Sequence, residues 1–248
     1  MGLKFINTEL YSQSKQKFMY NLNDVVRNGL VLWLDGKDFS NSPATTSWRD
    51  RSGNGNDATP TNFAYTASSG ADGVGGVMFD GVDDRFVVQH NSIFNIENKD
   101  FTWQFKFNLK NISSVNHMFL AKRLGVNADM EYIFYYNSST KAFVFNTTQN
   151  GSVTVGNSAP FIPIINQKYT VTLMRKGNIL YFYVDSVKIY EVAFTVSVHV
   201  STNQLAIGAS PLGDGTWANV VDGSIFIGLF YNRALTNTEI LQNYNATK

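Results

Sequence analysis

Hydrophobic and polar positions alternate along much of this chain, which is the period of a β-strand rather than of a helix. The clearest alternation covers 101–109, where Phe101, Trp103, Phe105 and Phe107 are separated by single polar residues. One face of this segment is apolar and the other is polar. The pattern predicts a strand in a sheet that has one side open to water.

Three further apolar runs lie in the first third of the chain. The run 30–34 is apolar at every position, which fits a strand buried on both faces. The runs 77–79 and 85–89 flank a turn that contains Asp80 and Gly81. An Asp-Gly turn between two such runs predicts a β-hairpin.

Later in the chain, short turns separate the runs 169–175, 179–184 and 187–190, and this spacing predicts a three-stranded meander. Turn-bounded apolar runs also predict strands at 117–122, 131–136, 142–146, 205–208 and 224–231. Many strands with helices only at the two ends indicate an all-β fold, in which two antiparallel sheets pack as a sandwich.

The first 28 residues have a different period. Leu22, Val25 and Val26 fall at helical spacing among polar residues and predict an amphipathic helix. We therefore divide the chain into an N-terminal helical arm, 1–28, and a β-sandwich domain, 29–248. The arm would either cap an open edge of the domain or dock the domain onto a larger assembly.

A short helix is also predicted at the C-terminus. Thr236 followed by Glu239 matches a capping box, in which each side chain accepts a hydrogen bond from a backbone N–H near the other. Ile240, Leu241 and Tyr244 supply an apolar stripe. We expect this helix to pack on an edge of a sheet.

Composition narrows the range of functions. Only 16% of the residues are charged and the net charge is +1, so we expect neither nucleic acid nor an acidic membrane surface as a partner. The absence of cysteine excludes disulfides, thiol catalysis and cysteine-based zinc sites. No segment has the length of a membrane span, and the N-terminus lacks the apolar run of a secretory signal. We expect synthesis in the host cytoplasm without membrane insertion, and release within a virus particle remains open.

Loops rich in side-chain oxygens offer one kind of binding chemistry. Carboxylate and amide oxygens suit Ca²⁺, the one cofactor that the sequence brings into question. The candidate calcium ligands lie in the loop after residue 48 and in the turn after residue 80: Asp50, Asn54, Asp57, Asp83 and Asp84. The alternative is that these residues cap turns and pair with neighbouring arginines.

Aromatic residues in loops offer a second kind of binding chemistry. Trp217 lies in a segment rich in glycine, between Asp214 and Asn219, and Tyr136 lies beside a second tyrosine. An aromatic ring stacks on a sugar ring while carboxylate and amide groups bind its hydroxyls. We therefore predict that these four residues bind a ligand.

Four motifs together resemble the laminin G-like domains of the concanavalin A-like lectin class. They occur in the family's order: Gly29–Asp35, Trp48–Ala58, Phe79–Asp84 and Tyr231–Thr236. The resemblance implies a jelly roll of two curved antiparallel sheets. It also implies a module that binds carbohydrate or protein and that is commonly part of bacterial surface or phage structural proteins. Many relatives carry an acidic pair in the strand before the last motif, and here the strand 224–230 has none.

Some enzymes have the same fold, and the spacing of their catalytic carboxylates can be compared with this sequence. Retaining glucanases of this class hold two carboxylates about 5 Å apart through a Glu-x-Asp-x-x-Glu strand. No glutamate in this sequence has that spacing, and the three histidines are scattered. The sequence therefore predicts a protein that is not an enzyme, with glycoside hydrolysis as the least favoured alternative.

These observations lead to one functional hypothesis and one main alternative. The first is a non-enzymatic module on a virion surface, a phage decoration or host-adhesion protein. It would attach to other virion structural proteins through its arm and would bind carbohydrate, such as a cell-surface glycan, or a neighbouring protein. The alternative is a free carbohydrate-binding lectin, with or without a requirement for calcium.

Overall fold

Two antiparallel sheets make up most of the computed structural model, which describes residues 24–113, 115–125, 128–151 and 154–248. Strands are numbered in chain order. The eight-stranded sheet has the spatial order β13 (Val187–Ala193), β12 (Ile179–Val184), β11 (Tyr169–Lys176), β6 (Phe101–Leu109), β17 (Asp222–Tyr231), β4 (Val77–Asp80) and β3 (Gly70–Ala71), and β1 (Leu30–Asp35) pairs with the second half of β17.

The seven-stranded sheet has the order β10 (Thr154–Pro160), β9 (Ala142–Thr148), β8 (Ala128–Asn137), β7 (His117–Gly125), β14 (Leu205–Ile207), β5 (Arg85–Val88) and β2 (Ala58–Thr61). A separate hairpin joins β15 (Ser210–Pro211) to β16 (Trp217–Ala218). The predicted all-β, two-sheet antiparallel architecture is confirmed. The meander is confirmed as well, because β11, β12 and β13 pair consecutively.

Aromatic side chains from both sheets fill the space between them. Trp103 and Phe105 of β6 are 3% and 0% exposed. Their rings lie 4.6 Å from the ring of Tyr132 and 5.6 Å from the ring of Phe119, both in the seven-stranded sheet. The apolar face of β6 therefore points into the core, where each buried ring contributes about 1.5 to 3 kcal/mol to folding.

The first half of the polar face of β6 is closed to water, contrary to the sequence-based expectation, whereas Lys106 and Asn108 in the second half are half-buried. Thr102 and Gln104 are 0% and 1% exposed. The Thr102 hydroxyl donates to the Arg233 carbonyl at 2.9 Å, and the Asn243 amide donates to the Gln104 side chain at 2.6 Å. These polar groups tolerate burial because each one finds a partner in the C-terminal segment.

The C-terminal helix, α1 (Asn237–Ala246), and the segment 233–236 before it cause this burial. Its capping box is confirmed: the Thr236 hydroxyl accepts from the Glu239 N–H at 3.2 Å, and the Glu239 carboxylate accepts from the Thr236 N–H at 2.8 Å. The expected packing on a sheet edge is wrong. Asn243 reaches β6, which lies between β11 and β17, so the helix covers the outer face of the eight-stranded sheet.

The predicted hairpin around Asp80 and Gly81 is also wrong. β4 belongs to the eight-stranded sheet and β5 belongs to the seven-stranded sheet. The turn between them carries the chain from one sheet to the other at the rim of the sandwich. An Asp-Gly pair permits a sharp change of direction in either arrangement, because Gly81 adopts a positive φ of 78°.

Most of the predicted N-terminal arm lies outside the described residues. Its described end, 24–28, is not helical. Val25 and Val26 are buried against the domain, and the Val26 carbonyl accepts from the Tyr231 hydroxyl at 2.9 Å. The structure thus gives no support to a helical arm, and the division into 1–28 and 29–248 stays a prediction. No helix within the described part of the chain is long and apolar enough to cross a membrane.

Candidate functional site

The loop 48–59 is organised around the carboxylate of Asp50, which is 6% exposed. One oxygen accepts from the N–H groups of Trp33 and Ser52 at 3.0 and 2.8 Å. The other accepts from the Ser52 hydroxyl and the Asn56 N–H at 2.8 and 3.0 Å. Four donors surround this carboxylate. Asp50 is therefore a structural hub, because it connects the loop to β1.

The other two candidate ligands in this loop are engaged in the same way. The Asp57 carboxylate accepts from the Asp50 N–H at 2.8 Å, and the Asn54 amide donates to the Leu30 carbonyl at 3.1 Å. These contacts satisfy backbone groups of the loop and of β1. They correspond to the turn-capping alternative that the sequence left open.

The turn 80–84, which we call the aspartate turn, has a different arrangement. Asp80, Asp83 and Asp84 each place one carboxylate oxygen within 4.8 Å of the others. The Asp80 carboxylate accepts from the Val82 N–H at 2.8 Å, and the Asp83 carboxylate accepts from the Asn62 amide at 2.9 Å. Among the described residues, this is the one group of three carboxylates close enough to hold a cation together.

Asp84 is the buried member of the aspartate turn and is 0% exposed. Burial raises the pKa of its carboxyl to about 7, although the Ser69 hydroxyl and the Asp80 N–H both donate to it, at 2.9 Å each. The desolvation cost of the charged form therefore outweighs two favourable hydrogen bonds. The neighbouring charges of Asp80 and Asp83 raise the pKa further.

The five predicted calcium ligands thus form two separate groups. Ala58 pairs with Val88 and Thr61 pairs with Arg85, so the loop 48–59 and the aspartate turn adjoin opposite ends of the β2–β5 pair. β5 has four residues, which places its ends roughly 10 Å apart at about 3.3 Å per residue. A single ion bound by all five ligands is therefore excluded by the geometry.

A polar pocket of about 280 Å³ lies beside the aspartate turn. We call it the rim pocket, and it is lined by Gly81, Val82, Val115, Asn116, Ser139, Ala218, Asn219 and Val220. Within the described part of the chain, neither the Asn219 amide nor the Ser139 hydroxyl has a hydrogen-bond partner. Both groups are therefore available to a bound molecule.

Asn219 has a backbone conformation that suits its position. Its φ is 56°, in the left-handed region that asparagine tolerates better than most residues, and its carbonyl accepts from the Met118 N–H at 2.8 Å. This bond fixes the backbone of Asn219 at the start of β7. The structure thereby brings one predicted ligand-binding residue next to the turn that contains two predicted calcium ligands, Asp83 and Asp84.

Trp217 and Asp214 lie in the neighbouring hairpin but do not line the rim pocket. The Arg85 guanidinium lies over the Trp217 ring at 4.5 Å, which covers one face of the ring. The other predicted residue, Asp214, is exposed, and its carboxylate accepts from the Thr216 N–H at 2.9 Å. The hydrogen bonds from Thr216 lower the pKa of Asp214.

Tyr136 is not part of this surface. Its side chain is 0% exposed and its ring packs against Phe143 in the core, with ring centroids 5.6 Å apart. Burial raises its pKa to about 12, and its hydroxyl donates to the Phe161 carbonyl. The prediction that Tyr136 stacks on a ligand is therefore corrected, because strand alternation turns its ring inward.

Sequence reasoning missed three residues of this region. Asp80 was treated as part of a hairpin turn, although it is the third carboxylate of the cluster. Asn116 and Ser139 carried no motif and come from separate loops. The three aspartates in the segment 80–84 are the one sequence signal that could have revealed Asp80 as a member of the cluster.

Two antiparallel sheets with a polar pocket among the loops at one rim define a jelly-roll β-sandwich. The chain belongs to the laminin G-like family of the concanavalin A-like lectin/glucanases superfamily, whose model matches residues 80–241. No curated protein matches it.

Solved structures share the fold at low sequence identity. Trypanosoma rangeli sialidase has a TM-score of 0.60 and 19% identity, over 90% of this chain and 33% of that one. The binding domain of botulinum neurotoxin serotype D/C has a TM-score of 0.60 and 14% identity, over 90% and 53% of the two chains. A botulinum neurotoxin type C structure has a TM-score of 0.58 and 13% identity, over 90% and 52%. The chain therefore spans a third to about half of these proteins.

The expectation that the chain is not an enzyme is overturned by these matches. Sialidase structures are among the similar folds, and the superfamily itself includes glucanases. The expectation rested on the spacing of glutamates along one strand. That spacing addresses a single catalytic arrangement, so it does not exclude catalysis on this fold.

Proposed function

We propose that the chain is a carbohydrate-binding module and that the rim pocket holds the sugar. The observation that carries this proposal is the pair of unpartnered polar side chains, the Asn219 amide and the Ser139 hydroxyl, in one pocket. Sugar hydroxyls both donate and accept hydrogen bonds. An amide supplies both a donor and an acceptor, and a hydroxyl does the same.

The similar structures support the same class of ligand. Cell entry of the botulinum neurotoxin type C is described as dependent on interaction with two ganglioside molecules. One of the sialidase structures contains 2,3-difluorosialic acid. Both of those molecules contain sugar, which makes a saccharide the first ligand to test on this chain.

Calcium binding stays a prediction from the sequence, now narrowed to the aspartate turn. This turn supplies Gly81 and Val82 to the rim pocket. A cation bound by Asp80, Asp83 and Asp84 would hold the turn in place and would thereby support sugar binding indirectly. That arrangement would correspond to a calcium-dependent lectin.

The finer proposal places this module on a phage particle, attached to other virion structural proteins through residues 1–28. It rests on the resemblance to modules of phage structural proteins. Mass spectrometry of purified particles tests it directly. We expect peptides of this chain in the particles, and their absence would contradict a virion role while leaving the sugar site intact.

A glycan array probed with the purified chain tests the carbohydrate proposal. We expect binding to at least one glycan, and Asn219→Gly should weaken that binding about tenfold, because a ligand hydroxyl loses its partner. Glycine keeps the positive φ of this position accessible, so the loop should fold normally.

Asn166→Gly is the matched control, because Asn166 also has a positive φ, 63°, and does not line the rim pocket. This variant should bind as the wild type does. A blank array, or equal binding by the wild type and Asn219→Gly, would remove the proposal.

A further inference from the structure

A second pocket, about 150 Å³ in volume, lies on the outer face of the eight-stranded sheet near the end of α1. We call it the lysine pocket, because Lys37, Lys106, Lys168 and Lys248 all line it. It shares no lining residue with the rim pocket. The whole chain has a net charge of only +1, so four ammonium groups around one pocket are a marked local excess of positive charge.

The carboxylates on the Asp35 side of the pocket are held by an arginine and form no ion pair with these lysines. Asp35 also lines the lysine pocket, but its carboxylate lies 2.6 Å from the Arg51 guanidinium. Asp38, in the same turn as Lys37, is bound to Arg51 as well, at 2.5 Å. Within the described part of the chain, none of the four lysines has a carboxylate oxygen within 4.0 Å.

Lys106 shows the effect of this charge excess. It projects from β6 and is half-buried, and its ammonium donates to the Thr247 carbonyl at the end of α1. Burial lowers its pKa most, the charges of Lys168 and Lys37 lower the pKa further, and the charges of Asp185 and Asp35 oppose this shift. Lys168 and Lys37 are therefore close enough to repel the Lys106 ammonium.

Aromatic groups form an apolar floor beside the charges. The Lys168 ammonium lies 4.1 Å from the centre of the Phe226 ring. Trp33 also lines the pocket and is 9% exposed. An ion bound here would therefore be partly removed from water, where charge pairing is stronger than at an open surface.

We propose that the lysine pocket binds an oxyanion, meaning the sulfate, phosphate or carboxylate group of a ligand. Several lysines converging on one anion is a common way to hold such groups, because each ammonium donates to a different oxygen. The anion would offset the repulsion that Lys37 and Lys168 exert on Lys106. The lysine pocket is separate from the rim pocket, so the oxyanion proposal and the carbohydrate proposal can each be rejected without affecting the other.

Isothermal titration calorimetry of the full chain with sodium sulfate, sodium phosphate and sodium glucuronate tests the proposal, with chloride keeping the ionic strength constant. We expect saturable binding of at least one anion. The anion with the highest affinity shows whether the natural ligand carries a sulfate, a phosphate or a carboxylate group. Lys37→Met combined with Lys168→Met should weaken that binding at least about tenfold. Both side chains are exposed, so their replacement should leave folding unchanged.

The matched control, Lys110→Met combined with Lys176→Met, replaces two exposed lysines outside the pocket. It has the same net charge as the variant with Lys37→Met and Lys168→Met. Its affinity should stay within about twofold of the wild type, because distant surface charges are screened by salt. Equal weakening in both double variants would mean that only the overall charge matters, and this would overturn the site. Absence of saturable binding by all three anions would overturn it as well.

Discussion

The loop 48–59 and the aspartate turn both contain glycine and candidate calcium ligands, but their carboxylates are arranged differently. In the loop, the single carboxylate of Asp50 accepts four hydrogen bonds, two on each oxygen. In the aspartate turn, three carboxylates lie together, and one of them, Asp84, is buried with a raised pKa. The comparison teaches that one carboxylate surrounded by donors forms a structural hub, whereas three carboxylates close together form a candidate cation site.

The largest expected effect is the loss of the hub. Asp50→Ala removes the acceptor of three backbone N–H groups and a hydroxyl in a buried loop, and we expect it to lower the free energy of unfolding by about 3 to 5 kcal/mol. Chemical denaturation measures this loss. Asp83→Ala, at an exposed position in the aspartate turn, should cost less than about 1 kcal/mol. Equal costs for the two variants would erase the distinction between the two regions.

The next effect is a pH dependence that comes from Asp84. Its pKa is about 7 in the folded chain, against about 3.9 for an ordinary aspartate, so the folded state binds more protons than the unfolded state between those values. The free energy of unfolding should therefore fall as pH rises from about 4 to about 7, by at most about 4 kcal/mol at about 1.4 kcal/mol per pKa unit.

Asp84→Asn should make the free energy of unfolding depend less on pH between about 4 and about 7. The asparagine side chain still offers an acceptor to the Asp80 N–H. Denaturation curves of both proteins at several pH values measure the difference. A wild-type stability that rises steadily across this range, with the same slope in Asp84→Asn, would show that the Asp84 carboxyl is not held in its neutral form.

The smallest effect concerns calcium. If calcium binds at the aspartate turn, it stabilises the folded chain by about 2.7 kcal/mol at a hundredfold excess over its Kd, and the melting temperature rises accordingly. Asp83→Asn should abolish the rise and Asp57→Asn should keep it, because the two residues belong to different groups. A rise that disappears only in Asp57→Asn would move the ion to the loop 48–59.

Local patterns predicted the parts of the fold that depend on neighbouring residues. The alternation along β6 gave its inward face, since Trp103 and Phe105 are buried in the core. The Thr236 and Glu239 capping box gave the start of α1. Both features follow from residues within one strand or one helical turn, so no knowledge of the partner surface is needed.

Long-range partners explain what the sequence did not reveal. Thr102 and Gln104 look like exposed residues until the C-terminal segment 233–246 covers them. β10 was missed because Gly156, Asn157 and Pro160 are poor strand residues, which an edge strand tolerates better than a central one. The rim pocket combines four separate segments, so its polar groups are adjacent only after both sheets have formed.

The central claim is that a saccharide binds in the rim pocket. Nuclear magnetic resonance titration of the isotope-labelled chain, with the glycan selected by the array, tests it most directly. We predict that the largest chemical-shift changes fall on Asn116, Ser139 and Asn219, and that the Asn219→Gly variant needs about ten times more glycan to show those of Asn116 and Ser139. Saturable changes confined to other surfaces, with these three residues unaffected, would contradict the claim.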